Sequence, residues 1–178
     1  RDVAPSFSGH VGSTAPRDHA GAVGLHYMER SGRNDLVEMK VTRDPEYVSF
    51  YVRTQAPLSP ATDPNWMWLF IDSDQDPRTG WEGYDLVVNR RRDENGAWVE
   101  VNRGGWSWEK VAQVAWRTSG CEMHLVLPRK LLGLEANSPV AIDFKWADNL
   151  QHPGDVTDFY TSGDVAPAGR FRFRYEAP

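Results

Sequence analysis

Residues 66–85 read WMWLFIDSDQDPRTGWEGYD, and the character of the chain changes twice along them. The stretch starts with period-two alternation, the spacing that sends successive side chains to opposite faces of a strand. It then turns acidic, with Asp72, Asp74 and Asp76 at every second position, and ends in an aromatic turn punctuated by Gly80 and Gly83. Carboxylates crowded on one short loop repel one another, and a hard cation such as calcium turns that repulsion into binding. Trp66, Trp68 and Trp81 place flat apolar faces beside the acidic loop. Within the strand, Met67, Leu69 and Ile71 are the natural core set, which leaves Trp66, Trp68 and Phe70 on the opposite face.

The same period continues on both sides. LVEMKVTR (36–43) and YVSFYVR (47–53) precede the stretch; YDLVVN (84–89), AWVEVN (97–102), VAQVAW (111–116), CEMHLVL (121–127), VAIDFKW (140–146) and RFRFRY (170–175) follow it. Clusters of Gly, Pro, Asp and Asn separate these runs, so the expected fold is all-β. It is a jelly-roll-like β-sandwich of about nine or more short antiparallel strands with little helix. PRKLLGLE (128–135) predicts a helical turn with proline at its first position. The opening residues to about 24 are rich in Gly, Ser and Pro and predict irregular chain. In the last run Phe171, Phe173 and Tyr175 are expected inward and Arg170, Arg172 and Arg174 outward. Such arginines either guard an edge or form a basic stripe for an acidic or sulfated polysaccharide.

Bulk composition narrows the class. A chain of 178 residues with 40% hydrophobic content fits a single domain, 1–178, with a real core. A formal charge of -5 argues against a general nucleic-acid binder. No apolar run reaches the length of a membrane span. The chain opens RDVAPSFSGH without an initiator methionine, which suggests a piece of a longer or processed protein. Cys121 is the single cysteine and continues the apolar face of Met123, Leu125 and Leu127, so it reads as a small buried residue. Eight tryptophans are the compositional outlier, and tryptophan belongs to cores, interfaces or sugar platforms.

The run DPNWMWLFIDSDQDPRTGWEGYDLVVNR and the later FKWADNLQHPGDVTDFYTSGDVAPAGRFRFRY resemble the family 9 carbohydrate-binding modules and the wider DOMON-like sandwich group. RDHAG and SGRNDLVEMKV resemble the subgroup appended to bacterial polysaccharide-degrading proteins. The resemblance implies a noncatalytic sandwich that binds calcium and holds a polysaccharide or oligosaccharide between aromatic rings. It implies an attached catalytic domain, such as a glycoside hydrolase, and a secreted, periplasmic or cell-surface location.

Two sets of site residues follow. For the metal, Asp72, Asp74 and Asp76 have the odd spacing of a calcium loop, and Asp85 lies just beyond. Pro77 and Gly83 occupy the positions where an EF-hand needs glycine and glutamate, so this is not an EF-hand. Asp148 and Asp155 in the late loop are further candidates, and the ion would be structural. For the sugar, aromatic faces stack on C–H surfaces while planar polar groups meet hydroxyls. Trp81 between its two glycines is the leading candidate, with Trp66, Trp68, Trp106 and Trp108. The resemblance adds Trp146 and Tyr160 near the two loops. Glu82, Asn89, Arg90, Asn149 and Gln151 are the polar candidates, and Trp98 and Trp116 read as structural. Three other classes stay open. A protein-interaction domain would bury its tryptophans. A haem-binding redox module would draw axial ligands from Met39, Met67, Met123, His124 or Lys145, without a CxxCH motif. An enzyme would need a signature that the chain does not display.

Overall fold

The structure is a computed structural model and describes residues 4–178. In chain order the strands are β1 (Ser6–Ser8), β2 (Arg17–Ala20), β3 (His26–Glu29), β4 (Leu36–Arg43), β5 (Tyr47–Thr54), β6 (Trp68–Asp72) and β7 (Leu86–Asp93). They continue as β8 (Gly96–Asn102), β9 (Trp108–Val114), β10 (Trp116–Ser119), β11 (Glu122–Pro128), β12 (Val140–Asp148), β13 (Asp164–Ala166) and β14 (Phe173–Ala177). One short helix, α1 (Asp158–Thr161), interrupts the late loop. The fold is all-β, as the alternation predicts.

A five-stranded sheet runs β1-β4-β5-β11-β10, and a larger one runs β13-β12-β6-β7-β8-β9 with β14 also on β12. Every named strand pair is antiparallel. The alternating residues of both sheets meet in one core. Met39, Val41, Val48, Phe50, Val52, Met123, Leu125 and Leu127 come from the first sheet, and Leu69, Ile71, Leu86, Val88, Val99, Ile142 and Phe144 from the second. Each such side chain contributes roughly 1.5–3 kcal/mol by leaving water.

A second apolar cluster lies on the far face of the larger sheet. Trp68, Phe70, Val87 and Ala147 point outward from β6, β7 and β12, and Trp81, Tyr84, Leu150 and Phe159 cover them from the loops. These loops add a third layer over the two sheets. All five residues of β6 are buried as a result, and β12 leaves only Ala141 exposed. The third layer also explains Lys145, whose outward position in VAIDFKW would face water in a bare sandwich. Its ammonium instead donates to the Pro167 carbonyl and lies 5.0 Å from the Phe159 ring centroid. Burial pulls its pKa down to about 7.

Several expectations need correction. Trp66 does not share a face with Trp68 but belongs to the central core with Met67. Asn65 and Met67 have φ of 51° and 50°, so the chain kinks there and regular pairing begins only at Trp68. The opening residues are not irregular throughout: β1 pairs with β4, and β2 and β3 form a hairpin. The last strand starts at Phe173, leaving Phe171 78% exposed, while Arg172 folds inward over a loop. The predicted helical turn is a 3-10 turn, Arg129–Leu132, preceded by Pro128. Cys121 is half-buried in the β10–β11 turn. No helix among the described residues is long and apolar enough to cross a membrane.

Candidate functional site

The acidic loop and the aromatic turn form one structure. Trp81 and Tyr84 exchange backbone hydrogen bonds of 2.9 and 2.8 Å, closing a two-residue turn at Glu82 and Gly83. Both central residues have positive φ, 52° and 87°, as a type I′ turn requires. Gly83 is needed twice over, because a Cβ there would meet the Arg172 guanidinium at 2.5 Å. That guanidinium lies 4.3 Å from the Tyr84 ring centroid, donates to the Glu82 carbonyl and pairs with Asp72 Oδ2. Arg172 is a site residue that the alternation of the last run concealed.

Asp72, Asp74 and Asp85 each offer a carboxylate oxygen within 4.8 Å of the others. The internal bonds occupy one oxygen of each. Asp72 Oδ2 holds Arg172, Asp74 Oδ1 accepts from the Asp76 amide at 2.8 Å and Thr79 Oγ1 at 3.1 Å, and Asp85 Oδ2 accepts from the Ser73 amide at 2.8 Å. Asp72 is 1% exposed, and its Oδ1 has no hydrogen-bond partner among the described residues. An orphaned buried carboxylate oxygen is costly unless a cation meets it. Burial pushes the Asp72 pKa up to about 6, against the pull of Arg172 and with the help of the Asp85 charge. The all-oxygen donor set fits a hard divalent cation, with backbone carbonyls or water as further ligands.

The other metal candidates lie apart from this cluster. Asp76 is held bidentately by Arg78 at 2.8 and 2.7 Å, and that guanidinium lowers its pKa to about 2. Asp148 is buried, accepting from Arg33 Nε and the Met67 amide, both at 2.9 Å. Burial outweighs these bonds and raises its pKa to about 6. Asp155 caps the turn before α1 by accepting from the Thr157 amide and hydroxyl. Arginines, backbone amides and the Thr157 hydroxyl bond these three carboxylates, and none of the three joins the group formed by Asp72, Asp74 and Asp85.

The tryptophans are also redistributed. Trp66 and Trp146 are in the central core, and Trp68 and Trp81 are buried in the outer aromatic layer. Trp81 is 6% exposed and packs against Phe70, Trp106 and Phe159, so its flanking glycines bend it into the layer and do not present it to solvent. Trp106 and Trp108 are half-buried at the rim, edge to face at 5.5 Å. Trp106 also stacks on Trp68 at 6.3 Å and covers Gly154. The indole N–H groups of Trp68 and Trp108 have no partner among the described residues.

Of the polar candidates, Asn89 is buried and donates to the Trp66 and Met67 carbonyls, 3.0 Å each. Its role is to hold the kink before β6. Arg90 grips Glu100 at 3.0 and 2.6 Å. Glu82 pairs with Arg170. Asn149 donates to Ser31 Oγ at 3.1 Å, and exposed Gln151 folds back on Asn149. Tyr160 is exposed and covers Gly169. Comparison of the chain with protein-family models, with curated proteins and with solved structures finds no match in any of the three.

Proposed function

We propose that the chain is a noncatalytic glycan-binding module whose contact surface is the rim of the outer aromatic layer. The observation that carries this reading is the pair Trp106 and Trp108, which bring ring surface to solvent at one edge of the larger sheet. Behind them Trp68, Phe70 and Trp81 form a rigid backing. Sugars take C–H contact from such rings and orientation from polar groups at the edge. The resemblance to carbohydrate-binding modules supports the same reading. It extends it to an attached catalytic domain acting on polysaccharide outside the cytoplasm. Calcium at Asp72, Asp74 and Asp85 would be structural, relieving carboxylate repulsion and fixing the turn that carries Trp81.

Affinity electrophoresis of the folded protein on a panel of neutral and acidic glycans, with calcium present, tests the reading. Retardation on at least one glycan, weakened by Trp108→Ala, is expected. Absence of retardation on every glycan would sink it. The burial of Trp66, Trp68, Trp81 and Trp146 favours a second reading, a protein-interaction module, which that negative outcome would leave standing.

A further inference from the structure

A groove of about 640 Å³ lies between the 61–65 loop and the end of β7, with Lys110 and Trp116 on its walls. We propose that this groove binds an acidic sugar unit, its carboxylate or sulfate held by Arg91 and Lys110 and its ring beside Trp116. This inference rests on the glycan-binding reading and names the substrate class.

The argument begins in the strand. Arg90, Arg91 and Arg92 are consecutive, and alternation would send them to opposite faces. The β7–β8 register shifts between Val88 and Arg92, and Asn89 has φ 67°, so all three instead line the groove. Two of them are already engaged. Arg90 takes both oxygens of buried Glu100, and Arg92 donates to the carbonyls of Ala61 at 2.6 Å and Asp63 at 2.8 Å. Arg91 has only a 3.7 Å approach to Glu100, and its side chain is 58% exposed. Exposed Lys110 sits 4.5 Å from the Trp98 ring centroid and makes no ion pair among the described residues.

The carboxylates of the groove are also occupied. Asp63 pairs with Arg33 at 3.2 Å, and Asp93 accepts from the Asn95 amide at 2.8 Å and from Gln113. Glu100 is neutralised by Arg90. Arg90, Arg91, Arg92 and Lys110 face Asp63 and Asp93 in the lining, so the groove stays net cationic even with Glu100 counted, in a chain whose formal charge is -5. The free guanidinium fork of Arg91 matches the paired oxygens of a carboxylate or sulfate, and the Lys110 ammonium adds a point charge. Half-buried Trp116, packed edge-on against Trp66 at 5.4 Å, supplies the ring wall. The groove is continuous with the proposed rim. Trp108 and Lys110 pair with Asn102 and Glu100, two positions apart and so about 7 Å along the same face of β9.

The test is titration of the intact chain with three probes: oligogalacturonate, a sulfated galactan oligosaccharide and a neutral xylo-oligosaccharide. Each is run on wild type, Arg91→Gln and Lys110→Gln, at low and high salt. Both replaced side chains are exposed, so folding is retained. Acidic probes are expected to bind more tightly than the neutral one and to weaken with salt. Each variant should lose about tenfold toward the acidic probe, with neutral binding unchanged. Whichever acidic probe binds more tightly tells carboxylate from sulfate. Equal binding of neutral and acidic probes, or variants that match wild type, would overturn the acidic assignment while leaving the module reading intact. Failure of all three probes would also overturn the acidic assignment, while the module reading falls only with absence of retardation across the whole glycan panel.

Discussion

Trp81 sits between Gly80 and Glu82, where sequence alone suggests a ring offered to solvent, yet Phe70, Tyr84, Trp106 and Phe159 surround it. Its replacement is therefore a packing experiment. Trp81→Ala should destabilise the fold by about 3–5 kcal/mol, read as a lower urea midpoint. A loss below about 1 kcal/mol would contradict its placement in the layer. The exposure of single rings was not legible in the sequence, because it depends on which loops close over the sheet. The acidic cluster was partly legible. Odd spacing brings Asp72 and Asp74 together, whereas Asp76 is diverted by Arg78 two residues on. If calcium binds the cluster, calcium-loaded protein should melt above chelated protein through mass action. Asp74→Ala removes an exposed ligand together with its bonds to the Asp76 amide and Thr79, so it should erase that difference and lower the melt of the chelated protein only slightly.

At the scale of elements, period two located most strands because their inner residues meet a single core. It failed where backbone conformation breaks the count. Trp66 and Met67 both turn inward at a kink that Asn89 secures from β7. Asn89→Ala would strand two buried carbonyls, at roughly 1–3 kcal/mol for each unsatisfied group. A cost of about 2–4 kcal/mol in a denaturation curve is the expected result, and a change within about 0.5 kcal/mol would show that another group holds the kink. The start of β14 departs from the alternation for a different reason. Arg172 leaves the strand pattern to lie on Tyr84 and reach Asp72, contacts that no local period encodes. The Glu82–Gly83 turn admits it, so Gly83→Ala should displace Arg172 and weaken calcium-dependent stabilisation along with the turn.

For the whole molecule, the third layer decides which charges are buried, and the segment around Ser13 adds to it. The Ser13 hydroxyl bridges Asp35 Oδ1 at 3.0 Å and Asp164 Oδ1 at 2.5 Å, and Asp164 also accepts from the Leu36 amide at 2.7 Å, tying the opening segment to the sandwich. Burial, reinforced by the Asp35 charge, pushes the Asp164 pKa up to about 7 from its ordinary 3.8. The native state then holds a proton that the unfolded chain has lost. The stabilisation is complete below about pH 4 and disappears as pH rises through 7. Melting temperature should therefore fall by several degrees from this group as pH rises through that window, and Asp164→Asn should flatten the slope. Identical slopes in the two proteins would rule the group out. Asp148 and Asp72, both raised to about 6, act in the same direction, so some slope survives in the variant. The pairing order of the larger sheet has a consequence for how the chain is made. Strand β6 takes β7 on one edge but must wait for β12, far along the sequence, to fill the other, and β12 in turn waits for β13 and β14. A ribosome releases the chain from its first residue onward, so an apolar strand with an open backbone edge exists for as long as synthesis of the intervening residues takes. That interval, more than the finished architecture, is when this chain is most exposed to pairing with a neighbouring copy.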